Sequence, residues 1–513
     1  MNHKILYVKA NPPNSITTEG IALNVLNNDS YDNNPLINKE AIIKAFNQYG
    51  KELNPLNKEV LPALTNTNVN IEGNFIAENI PEIPNIVINE ECSKKKLYDI
   101  LDKNSDITHI ALSTYAFGME NSIEIINTIK KEFSHIELLV GGIGSVYSHI
   151  QRLIPPNNLC IGEGVNFIRK KFGLKLLAGK DFKIPKIFGN VSTIPISMKA
   201  AYMVTQLGCP HNCNFCITPN FYNYLPFSNR EKIISFFEEL ISTSKKDIFV
   251  YLCDPNGFYP EQIWRDVFDY FLKNYKETDK NIFIFGLASL EHINKFNIEN
   301  IQQNSPMKFI GISYGIESTL YGGYAKNKDI ADKVIERLNK NGIITFHTCI
   351  IGLPIHTRQN IIEDINNNIN LKSDIISINT FKPIPKTIIY KELNKQNRIL
   401  IEDLPPEFLY MEGYMPFKHP NLGFGFDILP YAFKAYYECE KKIIDVYSNL
   451  ADKIFDLYSF TNSRKLKSAF NVLIELSKKN FESFKTRMPI DITQVYRSNL
   501  DKIIEKTLIN KKR

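Results

Sequence analysis

Short apolar runs alternate with amphipathic stretches along most of the chain. ILYVKA (5–10) is an apolar run stopped by NPPN, NIVINE (85–90) reads as a second strand, and HIALST (109–114) and ELLVGG (137–142) read as two more. Between them KKKLYDILDK (94–103) has helical spacing, and MENSIEIINTIKKEF (119–133) carries Ile123, Ile126 and Ile129 at helical intervals. NNLCIGEG (157–164) looks like a further strand, while the Asn-dense NVLNNDSYDNNPLIN (24–38) reads as a loop or insertion. Strand and helix in alternation, with small residues at the strand ends, predicts a Rossmann-like doubly wound parallel sheet over residues 1–190. Ligands of such sheets sit over the carboxyl ends of the strands, where Ser113, Thr114, Gly141, Gly142, Gly162 and Gly164 fall.

From 198 to 395 the alternation repeats. The predicted strands are 201–206, 247–253, 281–286, 308–313, 344–351 and 374–379, with amphipathic stretches such as REKIISFFEELIS (230–242) and ADKVIERLNK (331–340) between them. Six strand–helix units in this space predict a partial (β/α)6 barrel of TIM type, whose active site lies at the C-terminal ends of the strands. Residues 400–513 change character: Ile443, Tyr447, Leu450, Ile454 and Tyr458, then Leu466, Phe470, Leu473 and Leu476, recur at helical spacing. A helical C-terminal cap is expected there, with aromatics of YMEGYMPF (410–417) and PYAFKAYY (430–437) available to line a substrate cavity.

Composition narrows the class. A chain of 513 residues with 43% hydrophobic and 12% aromatic residues can bury substantial cores. The net charge of +6 is mild and its lysines are spread among acidic residues, so no basic stripe for nucleic acid is expected. No apolar run reaches the roughly 18 residues needed to span a bilayer, and MNHKILYVKANPP lacks the order of a signal peptide, which predicts a cytoplasmic protein without a membrane partner. Eight cysteines, unevenly spaced, do not suggest a disulfide framework. Cys92, Cys160, Cys253, Cys349 and Cys439 read as buried thiols.

The other three stand close together in CPHNCNFC (209–216), on the loop after the first strand of the second region. The two residues between Cys213 and Cys216 let both sulfurs reach one metal centre, but a structural zinc site needs a fourth ligand. Cys253 lies far along the chain and His211 sits too close to its neighbours to complete a mononuclear site comfortably. Three thiolates suit a [4Fe-4S] cluster with one iron left open to a small molecule. The pattern Cys209, Cys213, Phe215, Cys216 at the end of a first barrel strand resembles that of radical S-adenosylmethionine (SAM) enzymes. DPNGF (254–258), YGIES (314–318), CIIGLPIHT (349–357) and FKPIPKT (381–387) resemble that family's later strand-end motifs, in order. The first of them is a residue longer than the family's more usual form. The resemblance implies that SAM chelates the open iron and is reductively cleaved to a 5′-deoxyadenosyl radical. It further implies that Phe215 lies near the adenine, that Asp254 and Glu317 are candidates for polar contacts, and that the backbone from Ile350 to Gly352 packs on the adenine.

A Rossmann-like region before such a barrel resembles the cobalamin-binding subclass. THIALSTYA (108–116), LLVGGIG (138–144) and CIGEG (160–164) resemble its three turns, which implies cobalamin contacts from Ser113, Thr114, Gly141, Gly142, Gly162, Glu163 and Gly164. The Asp-x-His-x-x-Gly segment that gives cobalt an imidazole in many cobalamin proteins is absent, and residues between the first strand and 80 do not match the subclass's usual helix. The leading expectation is a cobalamin-dependent methyltransferase acting on a small molecule or peptide, with an electron donor such as flavodoxin or ferredoxin. A radical rearrangement or ring formation, with or without cobalamin, and a non-catalytic iron–sulfur or corrin carrier or sensor are the alternatives.

Overall fold

The computed structural model describes residues 3–10, 40, 69–89, 92–193, 196–244, 247–275, 280–320, 328–409, 413–432 and 434–435. The expected loop at 24–38, the helical stretches beyond 435 and Cys439 lie outside the described residues.

Strands β1 (Ile5–Lys9), β2 (Asn85–Val87), β3 (His109–Ser113) and β4 (Glu137–Gly141) form one sheet in the order β2-β1-β3-β4, every pair parallel. Both faces are covered, which is why the strands read as continuous apolar runs. Leu6, Val8, Ile110, Leu112 and Val140 meet Leu97, Leu101, Ile125 and Ile129 of the helices Lys94–Lys103 and Met119–Glu132. Ile5, Tyr7 and Leu139 meet Phe75, Val165 and Ile168 of the helices Ile71–Glu78 and Gly164–Lys171.

Two expectations are corrected here. The segment 157–164 forms no strand: it contributes a 3-10 turn at Pro156–Asn158 and a single parallel bridge from Leu159 to Val140. Pro155 and Pro156 before it, and Gly162 and Gly164 within it, break an extended run. Conversely, residues 71–78 form a helix where no helix had been expected. Asn70 caps it, its side-chain oxygen accepting from Gly73 N at 2.9 Å.

The second sheet runs β13-β12-β11-β10-β9-β6-β5. Its six parallel strands follow chain order: β6 (Ile196–Met203), β9 (Ile248–Leu252), β10 (Ile282–Leu287), β11 (Met307–Glu317), β12 (Ile344–Ile351) and β13 (Ile375–Thr380). The predicted six are all present, although β6 ends at Met203, three residues before the expected end. A strand not foreseen, β5 (Ile187–Thr193), adds antiparallel to β6. Helices Arg230–Thr243, Glu261–Asn274, Ile298–Asn304, Lys328–Lys340 and Asn360–Asn370 separate the strands. One sheet face packs Val250, Leu252, Ile282 and Ile284 against Phe237, Phe268 and Phe271. The other gathers Tyr202, Phe249, Phe283 and Phe285 around Val69, so the stretch before helix Ile71–Glu78 joins the two regions.

After β13 the described chain is not wholly helical: β14 (Met415–His419) and β15 (Gly423–Gly425) form an antiparallel hairpin. Tyr414 packs on Phe408 and Phe426, and Phe417 on Phe381, so these aromatics are core rather than cavity lining. Among the described residues no helix is long and apolar enough to cross a membrane.

Candidate functional site

The loop carrying the three clustered cysteines leaves the C-terminal end of β6 and is closed at its base. Two short strands, β7 (Gln206–Leu207) and β8 (Leu225–Pro226), pair antiparallel there. Gly208 adopts a φ of 73°, and a Cβ on it would come within 3.1–3.2 Å of the backbone of Tyr222, Asn223 and Tyr224. Inside the loop Cys216 N donates to Cys213 O at 3.1 Å. Cys209, Cys213 and Cys216 are half-buried, whereas Cys92, Cys160 and Cys349 are buried. Burial pushes the Cys92 thiol up to about 11 and the Cys160 thiol up to about 12, so both stay protonated. Cys253, expected to be a buried thiol, is half-buried as well. It stands alone just past the end of β9, and desolvation pushes its thiol well up, so the clustered thiols among the described residues are the three of the loop. Among the described residues no three His, Cys, Asp or Glu side chains are grouped to hold a single metal ion. A [4Fe-4S] cluster has no need of that grouping, since each thiolate binds a different iron.

Asp254, at the end of β9, is fully buried and directed at the loop's base. Its carboxylate accepts from Thr205 N at 2.8 Å, from Gln206 N at 3.3 Å and from the Thr205 hydroxyl. Burial pushes this carboxyl up to about 7, against the pull of those hydrogen bonds. Asp254→Ala should cost roughly 2–4 kcal/mol, because two buried backbone donors lose their acceptor, and chemical denaturation reads that loss directly. The native carboxyl holds its proton to higher pH than the unfolded chain does. Its contribution to stability is therefore full below the ordinary carboxylate range and lost as pH rises through about 7. In Asp254→Asn that part of the stability–pH curve should be flat.

The other predicted residues lie on the loop and at the ends of β11 and β12. Phe215 packs against the apolar cluster that holds Ile351 and Leu353 at the end of β12, and Ile350 packs against the same cluster. Asn214 O accepts from Ile389 N at 3.2 Å, which ties the loop to the segment after β13. Glu317 ends β11 buried at 8% exposure with φ of 62°, a left-handed conformation costly for a residue with a Cβ. Its carboxylate lies over Gly315, where a Cβ would overlap it. Gly352, with φ of 77°, opens the turn after β12, and a Cβ there would lie 3.3 Å from Ile428 and 3.4 Å from Met415 Sδ.

A second site lies on the first sheet. The strand order reverses between β1 and β3, the switch point at which open α/β sheets bind ligands. A small cleft, partly open to solvent, lies there, lined among others by Tyr7, Ser113, Gly141, Gly142, Gly162 and Gly164. Gly142 has φ of 84°, and a Cβ on it would overlap the Thr114 carbonyl. Thr114 and Glu163 do not line the cleft. The Thr114 hydroxyl donates to Gly141 O at 2.8 Å, joining the ends of β3 and β4. The Glu163 carboxylate caps helix Gly164–Lys171, accepting from Val165 N and, at 2.9 Å, from Asn166 N; burial pushes its carboxyl up.

Sequence reasoning passed over Glu72 and Tyr222, which also line the cleft. Glu72 Oε1 accepts from the Tyr115 hydroxyl, and its buried Oε2 has no hydrogen-bond partner among the described residues. The Asn-capped apolar spacing of Ile71, Phe75 and Ile76 was the available signal for its helix. His356 and Asp364 were also missed, and nothing in their spacing marks them.

The described residues form an α/β protein of two sheets built mainly of parallel strands, with a cleft at the strand ends of the first and the three-cysteine loop at those of the second. No protein-family model matches the sequence, and no curated protein matches it. The chain shares its fold with the selenomethionine-labelled apo form of OxsB, a cobalamin-dependent S-adenosylmethionine radical enzyme. The TM-score is 0.51 at 14% identity, over 83% of this chain and 71% of that one. OxsB with aqua-cobalamin bound aligns at a TM-score of 0.49 and 13% identity, over 97% of this chain and 75% of that one. The radical S-adenosylmethionine methyltransferase TsrM from Kitasatospora setae, with tryptophan substrate and a SAM analogue bound, aligns at 0.48 and 12%, over 77% and 76%.

Proposed function

We propose that the chain is a radical SAM enzyme of the cobalamin-binding kind, most simply a methyltransferase. The observation that supports this reading best is a juxtaposition. Three clustered, half-buried thiols stand on one braced loop, whose Phe215 packs against the same apolar cluster as Ile350 at the end of β12. In this reading the second sheet is a partial (β/α)6 barrel (198–395), the first a Rossmann-like domain (1–190), and 400–513 the C-terminal domain.

Cys209, Cys213 and Cys216 would hold a [4Fe-4S] cluster, which supplies one electron to the SAM sulfonium when bound. The chain's own residues do the rest. Asp254 and the β7–β8 ribbon hold the loop in place. Phe215 and Ile350 present an apolar wall to the adenine, and Glu317 offers a carboxylate at the end of β11. Ser113, Gly141, Gly142, Gly162 and Gly164 would let a corrin approach the backbone closely at the β1/β3 switch, where cobalamin supplies a methyl carrier. Thr114 and Glu163 would act there by holding strand and helix ends. A small-molecule or peptide substrate, a flavodoxin- or ferredoxin-type electron donor and a cytoplasmic location complete the proposal, with nucleic acid and membrane outside it.

The test is metal content and SAM turnover of protein purified anaerobically after supplying hydroxocobalamin. About four irons and one cobalt per chain are expected, with 5′-deoxyadenosine formed under reducing conditions. Iron without cobalt removes the corrin and methyl transfer from the reading. Zinc in place of iron, or no SAM cleavage by iron-loaded protein, overturns it altogether.

A further inference from the structure

Behind the turns that end β11 and β12 lies a polar pair sealed from solvent. His356 and Asp364 have side-chain exposures of 0% and 3%, and His356 Nε2 stands 3.0 Å from Asp364 Oδ2. The other imidazole nitrogen is committed: Nδ1 accepts from Gly352 N at 3.0 Å and from Leu353 N at 3.1 Å. A nitrogen that accepts two N–H groups carries no proton, so the ring proton sits on Nε2 and is donated to Asp364. The second carboxylate oxygen reaches the neighbouring turn. Asp364 Oδ1 accepts from Thr319 N at 2.6 Å, from Thr319 Oγ1 at 2.7 Å and from Asn368 Nδ2 at 3.1 Å.

We propose that Asp364 and His356 are a positioning pair that locks the Glu317 turn and the Gly352 turn to one helix and so sets the geometry of the SAM site between them. The inference rests on the radical SAM reading above and adds two residues to it. Neither is a catalytic residue, since both are enclosed and their polar atoms are occupied by the protein itself. Their effect passes through others. Thr319 lies two residues after Glu317, whose left-handed backbone persists only where its surroundings hold it. Gly352, with φ of 77°, is held by the imidazole directly. Helix Asn360–Asn370 is the bar to which both turns are fastened. Burial favours the neutral carboxyl, but hydrogen bonds from His356, Ser318 and Thr319 outweigh it and hold Asp364 below its ordinary range, as an acceptor of four donors must be. The hairpin covers the arrangement from outside: His419 Nε2 bonds Leu353 O at 2.8 Å and Asn421 Nδ2 bonds His356 O at 2.9 Å.

The polarity makes the pair testable. Asp364→Asn has one acceptor oxygen for these two sets of donors. Turned to Thr319 it sets its N–H₂ against the His356 Nε2–H, and turned to His356 it sets its N–H₂ against Thr319 N–H, so one of the two turns loses its fastening either way. His356→Gln keeps an acceptor for the turn and a donor for Asp364, while His356→Leu keeps neither. Full-length, iron-loaded wild type and the three variants are compared for iron content, SAM KM and kcat for 5′-deoxyadenosine formation. The electron paramagnetic resonance spectrum of the reduced cluster with and without SAM is recorded for each. Asp364→Asn and His356→Leu should retain iron, raise KM by about tenfold or more (~1.4 kcal/mol or more of lost binding) and weaken the spectral change on SAM addition. His356→Gln should stay near wild type. If Asp364→Asn and His356→Leu keep a wild-type KM and spectral change, or His356→Gln fares as badly as His356→Leu, the positioning role is overturned and the radical SAM reading stands. If iron-loaded wild type neither binds nor cleaves SAM, the underlying reading fails and the inference with it.

Discussion

Replacing Cys209, Cys213 or Cys216 singly with alanine is expected to abolish SAM cleavage, by at least about a thousandfold, while the chain still folds. Each thiol lies on a loop whose anchoring does not depend on sulfur: the β7–β8 ribbon, the Asp254 hydrogen bonds and the Asn214–Ile389 contact all remain. Losing one of three thiolates leaves an iron without its ligand, so the cluster is expected to be lost. Iron content should fall with activity, and far-ultraviolet circular dichroism should not change. Matched alanine variants of Cys92 and Cys349, both buried, are the controls: they should lower stability modestly and leave iron and SAM cleavage in place. If a loop variant keeps both iron and cleavage, the three cysteines are not the cluster ligands.

Gly142→Val should separate the two sites. Its φ of 84° disfavours any residue with a Cβ, and the added carbon would overlap the backbone of Thr114. Strain and overlap together should cost roughly 2–4 kcal/mol locally and shift the turn after β4, which lines the first cleft. Cobalamin uptake by the anaerobically purified protein should drop at least about tenfold, equivalent to ~1.4 kcal/mol of binding. Iron content and SAM cleavage should hold, because Cys209, Cys213, Cys216 and the β11 and β12 turns do not line that cleft. Undiminished cobalamin binding would place the corrin elsewhere.

Much of the fold was legible because burial imposes a period. Two-sided packing of β1, β3 and β4 produces the runs at 5–10, 109–114 and 137–142, and one-sided packing of the helices produces the spacing of Ile126 and Ile129. The errors came where local composition and tertiary contact disagree. The residues before 80 do not match the expected subclass helix, yet Phe75 buries against Tyr7 and Phe182 and residues 71–78 become a helix. The apolar residues of 157–164 read as strand, but prolines and glycines leave a single bridge to β4.

For the candidate site the division is similar. Local chemistry lies within a few residues, so the sequence by itself determined the three-thiol loop, the glycine turns and the order of the strand-end segments. It also set the loop's three clustered cysteines apart by spacing, and burial followed for Cys92, Cys160 and Cys349 but not for Cys253. Only the tertiary structure decided which neighbours those residues meet: Phe215 against the apolar cluster at the end of β12, Asp254 turned on the loop's base instead of outward, and Glu163 spent on capping a helix. It alone joined His356 to Asp364 and Asp364 to Thr319, residues eight and forty-five positions apart. A hydrogen bond acts only over about 3 Å, and the chain brings such partners together by packing strands and helices whose own sequences carry no mark of the meeting.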